Sequence, residues 1–85
     1  MPHYFFQVSN GQGLTPDEEG IDLQDEAAAR SMAMDSIRSI ISEEARKGLI
    51  DLDGYIDVKN DDFQTLTRIT FPEAFSLRMP DPAAE

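Results

Sequence analysis

The sequence contains no cysteine, and its only histidine is His3. Without cysteine the chain can form neither a disulfide nor a thiolate zinc site, and it has no thiol nucleophile. The serines lack the context of a nucleophile elbow, and one histidine alone does not make a catalytic triad. We therefore expect no cofactor and no metal centre of the cysteine type.

Long hydrophobic runs are also absent. No segment approaches the roughly eighteen consecutive apolar residues of a membrane helix, and the opening MPHYFFQV lacks the basic flank and long apolar region of a secretion signal. The sequence therefore predicts no membrane association and a cytoplasmic location, which the lack of cysteine also suits.

Basic residues are scarce, with seven against seventeen acidic residues, and none occurs before Arg30. The formal net charge of −10 would repel the phosphates of a nucleic acid. We expect no nucleic-acid binding by this chain alone. Among partners, a basic protein fits the charge better.

With 85 residues and 40% apolar side chains, the chain can build one small core. We expect one compact domain over residues 1–75 and a flexible tail over 76–85. Because neither disulfides nor a structural metal can reinforce so small a core, self-association, for example as a homodimer, is an expected source of stability.

The first apolar segment, residues 3–9, predicts a strand. Period-two alternation would turn three side chains to the core: Tyr4, Phe6 and Val8. The turn at 10–13 predicts a hairpin whose acidic return strand is interrupted by Gly20 and anchored by Ile21 and Leu23. Its charge favours a position at the sheet edge.

A change to helical periodicity follows Asp25, the predicted N-cap, and Gly48 is predicted to close the helix in a left-handed conformation near residue 47. One apolar face is predicted. Its members are Ala29, Ala33, Ile37, Ile40 and Ile41.

Two further strands are predicted over 54–60 and 63–71, with a turn between them and Pro72 as the terminator. The fold class is therefore α+β, a two-layer sandwich in β-β-α-β-β order, in which one long helix packs on one face of an antiparallel sheet.

The segment DEEGIDLQDE, residues 17–26, places six carboxylates in ten positions. A solvated edge and helix start explain it most simply. A partner surface and a weak divalent-cation site remain alternatives. The residues predicted for a partner surface are Asp17, Glu18, Glu19, Asp22 and, as an apolar outlier on the helix, Met32.

The start MPHYFFQV is also superficially similar to the tautomerase superfamily, in which an amino-terminal proline is the general base. That resemblance implies a small tautomerase-like enzyme using the Pro2 amine. The acidic hairpin that follows departs from the family pattern, in which the first strand leads almost directly into a helix.

A second resemblance covers residues 1–75. The opening Met-Pro-x-Tyr-Phe-Phe, an Asp-Glu-x-Gly motif and paired alanines in the helix resemble a family of small uncharacterised bacterial proteins, a domain of unknown function. The matching residues are Tyr4, Phe5, Phe6, Asp17, Gly20, Ala28 and Ala29. The resemblance implies a stand-alone domain without assigned catalytic residues. Together with the composition, it favours a non-enzymatic protein-interaction or regulatory module.

Overall fold

A five-stranded antiparallel sheet and one long helix form the protein, in a computed structural model that describes residues 1–11 and 13–82. Gln12 of the predicted first turn and residues 83–85 of the predicted tail lie outside the described residues. The elements are β1 (His3–Asn10), β2 (Gly13–Thr15), β3 (Ile21–Asp22), α1 (Glu26–Lys47), β4 (Tyr55–Lys59), β5 (Thr65–Thr70) and a 3₁₀ helix (Phe71–Ala74).

The strand order is β2-β1-β4-β5, and β3 also pairs with β1. The α+β architecture and the two hairpins are confirmed. The predicted single return strand is wrong in detail, because it consists of two short strands, β2 and β3. Pro16 has no N–H to donate to a ladder, and Gly20 takes a φ of 68°, so pairing is interrupted between them.

The predicted ends of α1 are confirmed. The Asp25 carboxylate accepts a hydrogen bond from the N–H of Ala28 at 2.8 Å, which satisfies a donor of the first turn. At the other end Gly48 has a φ of 93°, and its N–H donates to the carbonyl of Ala45. Only glycine adopts that φ without strain, so the helix stops there.

The core lies between α1 and one face of the sheet. Ala29 and Ala33 let the helix backbone come close to the sheet, and Ile37 fills the centre. The largest fully buried side chains are Phe71, Ile37, Ile56, Ile69 and Val58. The predicted inward faces of β1, β4, β5 and the helix are therefore confirmed. On β1, Tyr4 is part of the core, and Phe6 and Val8 are partly buried and pack against the core.

The turn between β4 and β5 is longer than predicted. Phe63, predicted to begin the fourth strand, lies in this turn with a φ of 58°, and β5 begins only at Thr65. The side-chain oxygen of Asn60 accepts from the N–H groups of Asp62 at 2.9 Å and Gln64 at 3.0 Å. These hydrogen bonds satisfy backbone N–H groups that would otherwise pair with β4, so β5 begins two residues later than predicted.

Gly54 sits where no side chain fits. A Cβ there would lie 2.6 Å from the Phe71 ring and 2.8 Å from the carbonyl oxygen of Ser9. We expect Gly54→Ala to lower the free energy of unfolding by about 1–3 kcal/mol through overpacking. Urea titration measures this loss. The double variant Gly54→Ala/Phe71→Leu should lose less unfolding free energy than the two single variants lose in total, because the smaller leucine leaves room for the new methyl group. A double-variant loss equal to that total would contradict the proposed clash.

Candidate functional site

Within residues 1–11 and 13–82, no second layer covers the face of the sheet opposite α1. Since successive side chains of a strand point to opposite faces, the residues between the core positions line this uncovered face. They are Leu14 on β2, His3, Phe5, Gln7 and Ser9 on β1, Tyr55, Asp57 and Lys59 on β4, and Leu66, Arg68 and Thr70 on β5. The face is thus mainly aromatic and polar, with a leucine on each outer strand.

An ion pair occupies the middle of this uncovered face. Arg68 donates from Nε and Nη2 to the two carboxylate oxygens of Asp57, at 2.7 and 3.1 Å, and its guanidinium lies 3.9 Å from the centre of the Tyr55 ring. Asp57 is 4% exposed, whereas half of the Arg68 side chain reaches solvent. The hydrogen bond to Asp57 raises the pKa of Arg68. The pair is therefore satisfied within one chain.

His3 joins the uncovered face to the acidic hairpin. Its Nδ1 lies 2.6 Å from the Asp22 carboxylate, and its Nε2 lies 2.7 Å from the carbonyl oxygen of Glu19. Both partners are acceptors, so both ring nitrogens can donate only in the protonated imidazolium. The hydrogen bonds to Asp22 and Glu19 raise the pKa of His3 above its ordinary value of 6.5.

Asp17, the first acid of the hairpin, holds the local backbone. Its carboxylate accepts from the N–H groups of Phe6 at 3.1 Å, Gly20 at 3.1 Å and Glu19 at 3.3 Å. Asp17 thereby ties the loop between β2 and β3 to β1. Of the acids that follow, Asp22 pairs with His3, whereas the side chains of Glu18 and Glu19 are exposed.

The residues predicted to form a partner surface do not form one cluster. Glu18 and Glu19 are exposed, while the carboxylates of Asp17 and Asp22 are engaged within the domain. Met32 is half-buried and lines a shallow hollow of the helix, with Ala28, Ser31, Asp35, Ser36 and Ser39. No described hydrogen bond, ion pair or hollow within 1–11 and 13–82 includes both Met32 and the hairpin acids.

Pro2, the residue singled out by the tautomerase resemblance, is exposed just before β1. Its carbonyl oxygen accepts from the N–H of Leu23 at 3.0 Å, which places it against the end of β3. The neighbouring ionisable groups are those of the His3–Asp22 pair. An ion pair of this kind has no net positive charge, so it does not attract an anionic substrate.

An apolar hollow lies beside the last turns of α1, at the end of the sheet where β4 begins. We call it the apolar groove; its volume is about 340 Å³, and it is lined by Ile41, Ile50, Leu52, Phe75 and Leu77. A second hollow of about 300 Å³ adjoins it and adds Arg38, Ser42 and Ala45. Ile50 and Leu77 are exposed at 45% and 67%. The groove therefore presents aliphatic and aromatic surface to solvent.

Phe63 is the opposite feature, an apolar side chain that protrudes. It is 63% exposed, and its ring centre lies 5.0 Å from that of Phe5 in a tilted arrangement. A positive φ at a bulky residue is an unfavourable conformation. The turn holds it there through the N–H of Phe63, which donates to the carbonyl of Asn60 at 2.9 Å.

Sequence reasoning missed three features of these surfaces. Asp57 and Arg68 are eleven positions apart and meet only through the β4–β5 register. Residues of opposite charge at directly opposite positions of a predicted hairpin are a usable signal for such a pair. The exposed Phe63 and the groove depend on the turn length and on how the chain returns along α1, and no local pattern encodes them.

Two kinds of feature are not found among the described residues. Within 1–11 and 13–82 no three or more histidine, aspartate or glutamate side chains gather where a metal ion could bind. In the same ranges no helix combines the length and apolar character that crossing a bilayer requires.

Fold and surfaces together define a small α+β domain with one helix, one uncovered sheet face and an apolar groove. The chain belongs to the family described as a domain of unknown function, DUF6894, whose family model matches residues 3–72. Comparison with curated proteins and with solved structures finds no match. The family membership agrees with the resemblance seen in the sequence and assigns no activity.

Arg68 supplies the first test of the uncovered face. Removing it by Arg68→Leu leaves the nearly buried Asp57 carboxylate without its cation, and we expect the free energy of unfolding at neutral pH to fall by clearly more than in a control at an exposed arginine. Chemical denaturation measures the loss. Arg78→Leu, at an exposed position beyond the last element, is the matched control and should change stability by less than about 0.5 kcal/mol. Equal effects of the two variants would contradict the assigned pair.

His3 makes stability depend on pH. A group whose folded pKa is raised stabilises the fold fully below its unfolded value near 6.5, and this contribution disappears as pH rises through the folded value. We expect wild type to exceed His3→Gln in unfolding free energy at pH 5.5 and the difference to shrink toward pH 8.5. A difference that stays constant or grows with pH would contradict the hydrogen bonds from protonated His3 to Asp22 and to the Glu19 carbonyl.

Proposed function

We propose that this domain is a non-enzymatic protein-interaction module and that its first partner is a second copy of itself. One observation carries the proposal. Among the described residues nine large apolar side chains are exposed, and two of them, Ile50 and Leu77, lie together in the apolar groove. The exposed set is Met1, Leu14, Ile21, Leu49, Ile50, Phe63, Leu66, Leu77 and Met79.

This exposed apolar surface matters because the chain has no disulfide, and no metal-binding cluster lies within 1–11 and 13–82. Exposed apolar residues scattered singly are ordinary on a protein surface, but a continuous apolar patch indicates an interface. The groove joins Ile41, Ile50, Leu52, Phe75 and Leu77 into one such patch. A chain without cysteine cannot stabilise a small core by disulfides, so association is the remaining means of covering this surface.

A copy of the same chain is the simplest partner, since homo-oligomers with symmetric contacts are the commonest soluble assemblies. The net charge of −10 also favours a basic protein as a further partner, through long-range attraction. A regulatory role would follow if that partner binds only the assembled form. The proposal includes a cytoplasmic location, which suits a chain without cysteine.

Self-association predicts stability that depends on concentration. Each tenfold increase in protein concentration stabilises a dimer by about 1.4 kcal/mol, which is about 0.7 kcal/mol for each chain. We therefore expect the melting temperature to rise by about 3 °C or more for each tenfold increase. Calorimetry between about 10 and 500 μM, with light scattering for mass, measures both effects. A single-chain mass together with a constant melting temperature across this range would contradict the proposal.

A further inference from the structure

The β5 edge of the sheet is a poor contact for a second copy. β5 is one of the two edges of the order β2-β1-β4-β5, and its pairing with β4 shifts register next to Val58 and Lys59. Such an irregularity bends the edge and hinders pairing with a further strand. Close to its end, the N–H of Thr70 donates to the Glu73 carboxylate at 2.7 Å. One of the edge donors is therefore already satisfied, and the edge is protected against a further strand.

The uncovered sheet face is also a weak candidate for contact between copies. Its centre is the Asp57–Arg68 pair, which is satisfied within one chain, and burial would remove water from Arg68 and Lys59 without supplying new partners. Desolvation would then offset much of what Phe5 and Tyr55 contribute. Edge and face are both less favourable than the apolar features at the two ends of the sheet.

Phe63 and the apolar groove lie at opposite ends. The β1–β4 register places Phe5 beside Lys59 at one end, where the turn with Phe63 begins, and Ser9 beside Tyr55 at the other. The groove belongs to the second end, since the 3₁₀ helix after β5 leads directly into Phe75. One copy can therefore present a protruding ring to a hollow on the next copy.

The groove suits that ring in chemistry and size. Its walls are aliphatic and aromatic. Its volume of about 340 Å³ is large enough to hold the phenylalanine ring of another copy. Buried aromatic anchors in apolar pockets dominate many protein interfaces. Phe63 is pre-positioned for this use, because its turn is hydrogen-bonded and its ring rests against Phe5.

Charge also favours contact between unlike ends. The turn brings Asp61 and Asp62 beside Phe63, whereas Arg38 lines the hollow adjoining the groove. The helix end near the groove carries Arg46 and Lys47. The groove end carries acids as well as bases, and Arg38 is paired with Asp35 at 3.1 Å, so charge there is mixed. Two turns facing each other would instead bring four aspartates together and repel, which favours contact between unlike ends.

Two acids near the groove, Glu44 and Asp51, have a structural role and keep their negative charge. One carboxylate oxygen of Glu44 accepts the N–H of Asp51 at 3.0 Å, and one carboxylate oxygen of Asp51 accepts the N–H of Asp53 at 2.9 Å. Both carboxylates therefore hold the linker between α1 and β4.

We infer that copies of this chain associate head to tail, with Phe63 of one copy inserted in the apolar groove of the next. The inference rests on the proposed self-association and names the two surfaces that carry it. Such a contact is heterologous, so it produces a ring if the rotation closes and a growing chain if it does not.

A complementation experiment tests the pairing. Phe63→Asn removes the ring and places at the positive φ a residue that tolerates it, while Leu77→Glu puts a carboxylate in the groove wall. By sedimentation velocity at about 100 μM, we expect each variant alone to be a monomer, with association weakened at least tenfold. An equimolar mixture should form a heterodimer that does not grow, because each variant retains one intact surface.

Two measurements separate loss of contact from loss of folding. Circular dichroism should show native helix content in both variants, and the melting temperature of Phe63→Asn at about 1 μM should stay within about 5 °C of wild type. If Leu77→Glu misfolds, Ile50→Glu replaces it in the groove. Leu14→Glu changes an exposed leucine on β2 that neither lines the groove nor belongs to the Phe63 turn, and it should assemble as wild type does.

Each other outcome has a distinct meaning. A monomeric wild type would overturn the proposed self-association and this inference with it. A wild type that assembles, with either variant still assembling, would overturn the head-to-tail contact and leave self-association standing. Monomeric variants that fail to form the heterodimer when mixed would show that the two surfaces do not bind each other.

Discussion

The structure depends on the burial of one helix stripe against one face of a sheet that is wider than the helix. A helix with side chains is about 10 Å across, whereas four strands span about 19 Å at their usual spacing. The 3₁₀ helix Phe71–Ala74 covers part of the remainder, and Arg38 fixes it to α1 by donating from Nε to the Ala74 carbonyl at 2.6 Å. What stays uncovered beside α1 is the apolar groove, so this hollow follows from the shortage of covering elements.

The acidic composition has a local structural explanation in several places. Carboxylates accept backbone N–H groups at the helix start, in the hairpin and in the linker, through Asp25, Asp17 and Glu44. Glu73 does the same at the end of β5, and the hydrogen bonds from Thr70 lower its pKa. Turns and helix starts leave such donors without ladder partners, and acids satisfy them well. A high acid count is thus compatible with a domain that binds no cation.

The helix, the fold class and the core could be predicted from sequence because their signals are local and periodic. Asp25 and Gly48 mark the helix ends by their own chemistry, and Ile37 follows from a 3.6-residue period. The candidate site could not be predicted in the same way. Asp57 meets Arg68 only through strand register, and Phe63 was assigned to a strand because the competing hydrogen bonds of its turn are not visible in a hydrophobicity pattern.

Phe63 supports the proposed contact outside the single chain. A left-handed conformation at a residue other than glycine costs about 1–3 kcal/mol, and a favourable aromatic pair with Phe5 returns about 0.5–1.5 kcal/mol. Its ring remains 63% exposed, so burial within the monomer contributes little more. Glycine or asparagine would close the same turn at lower cost. The monomer alone therefore does not account for phenylalanine here, whereas burial of the ring in an apolar partner surface would compensate the strain.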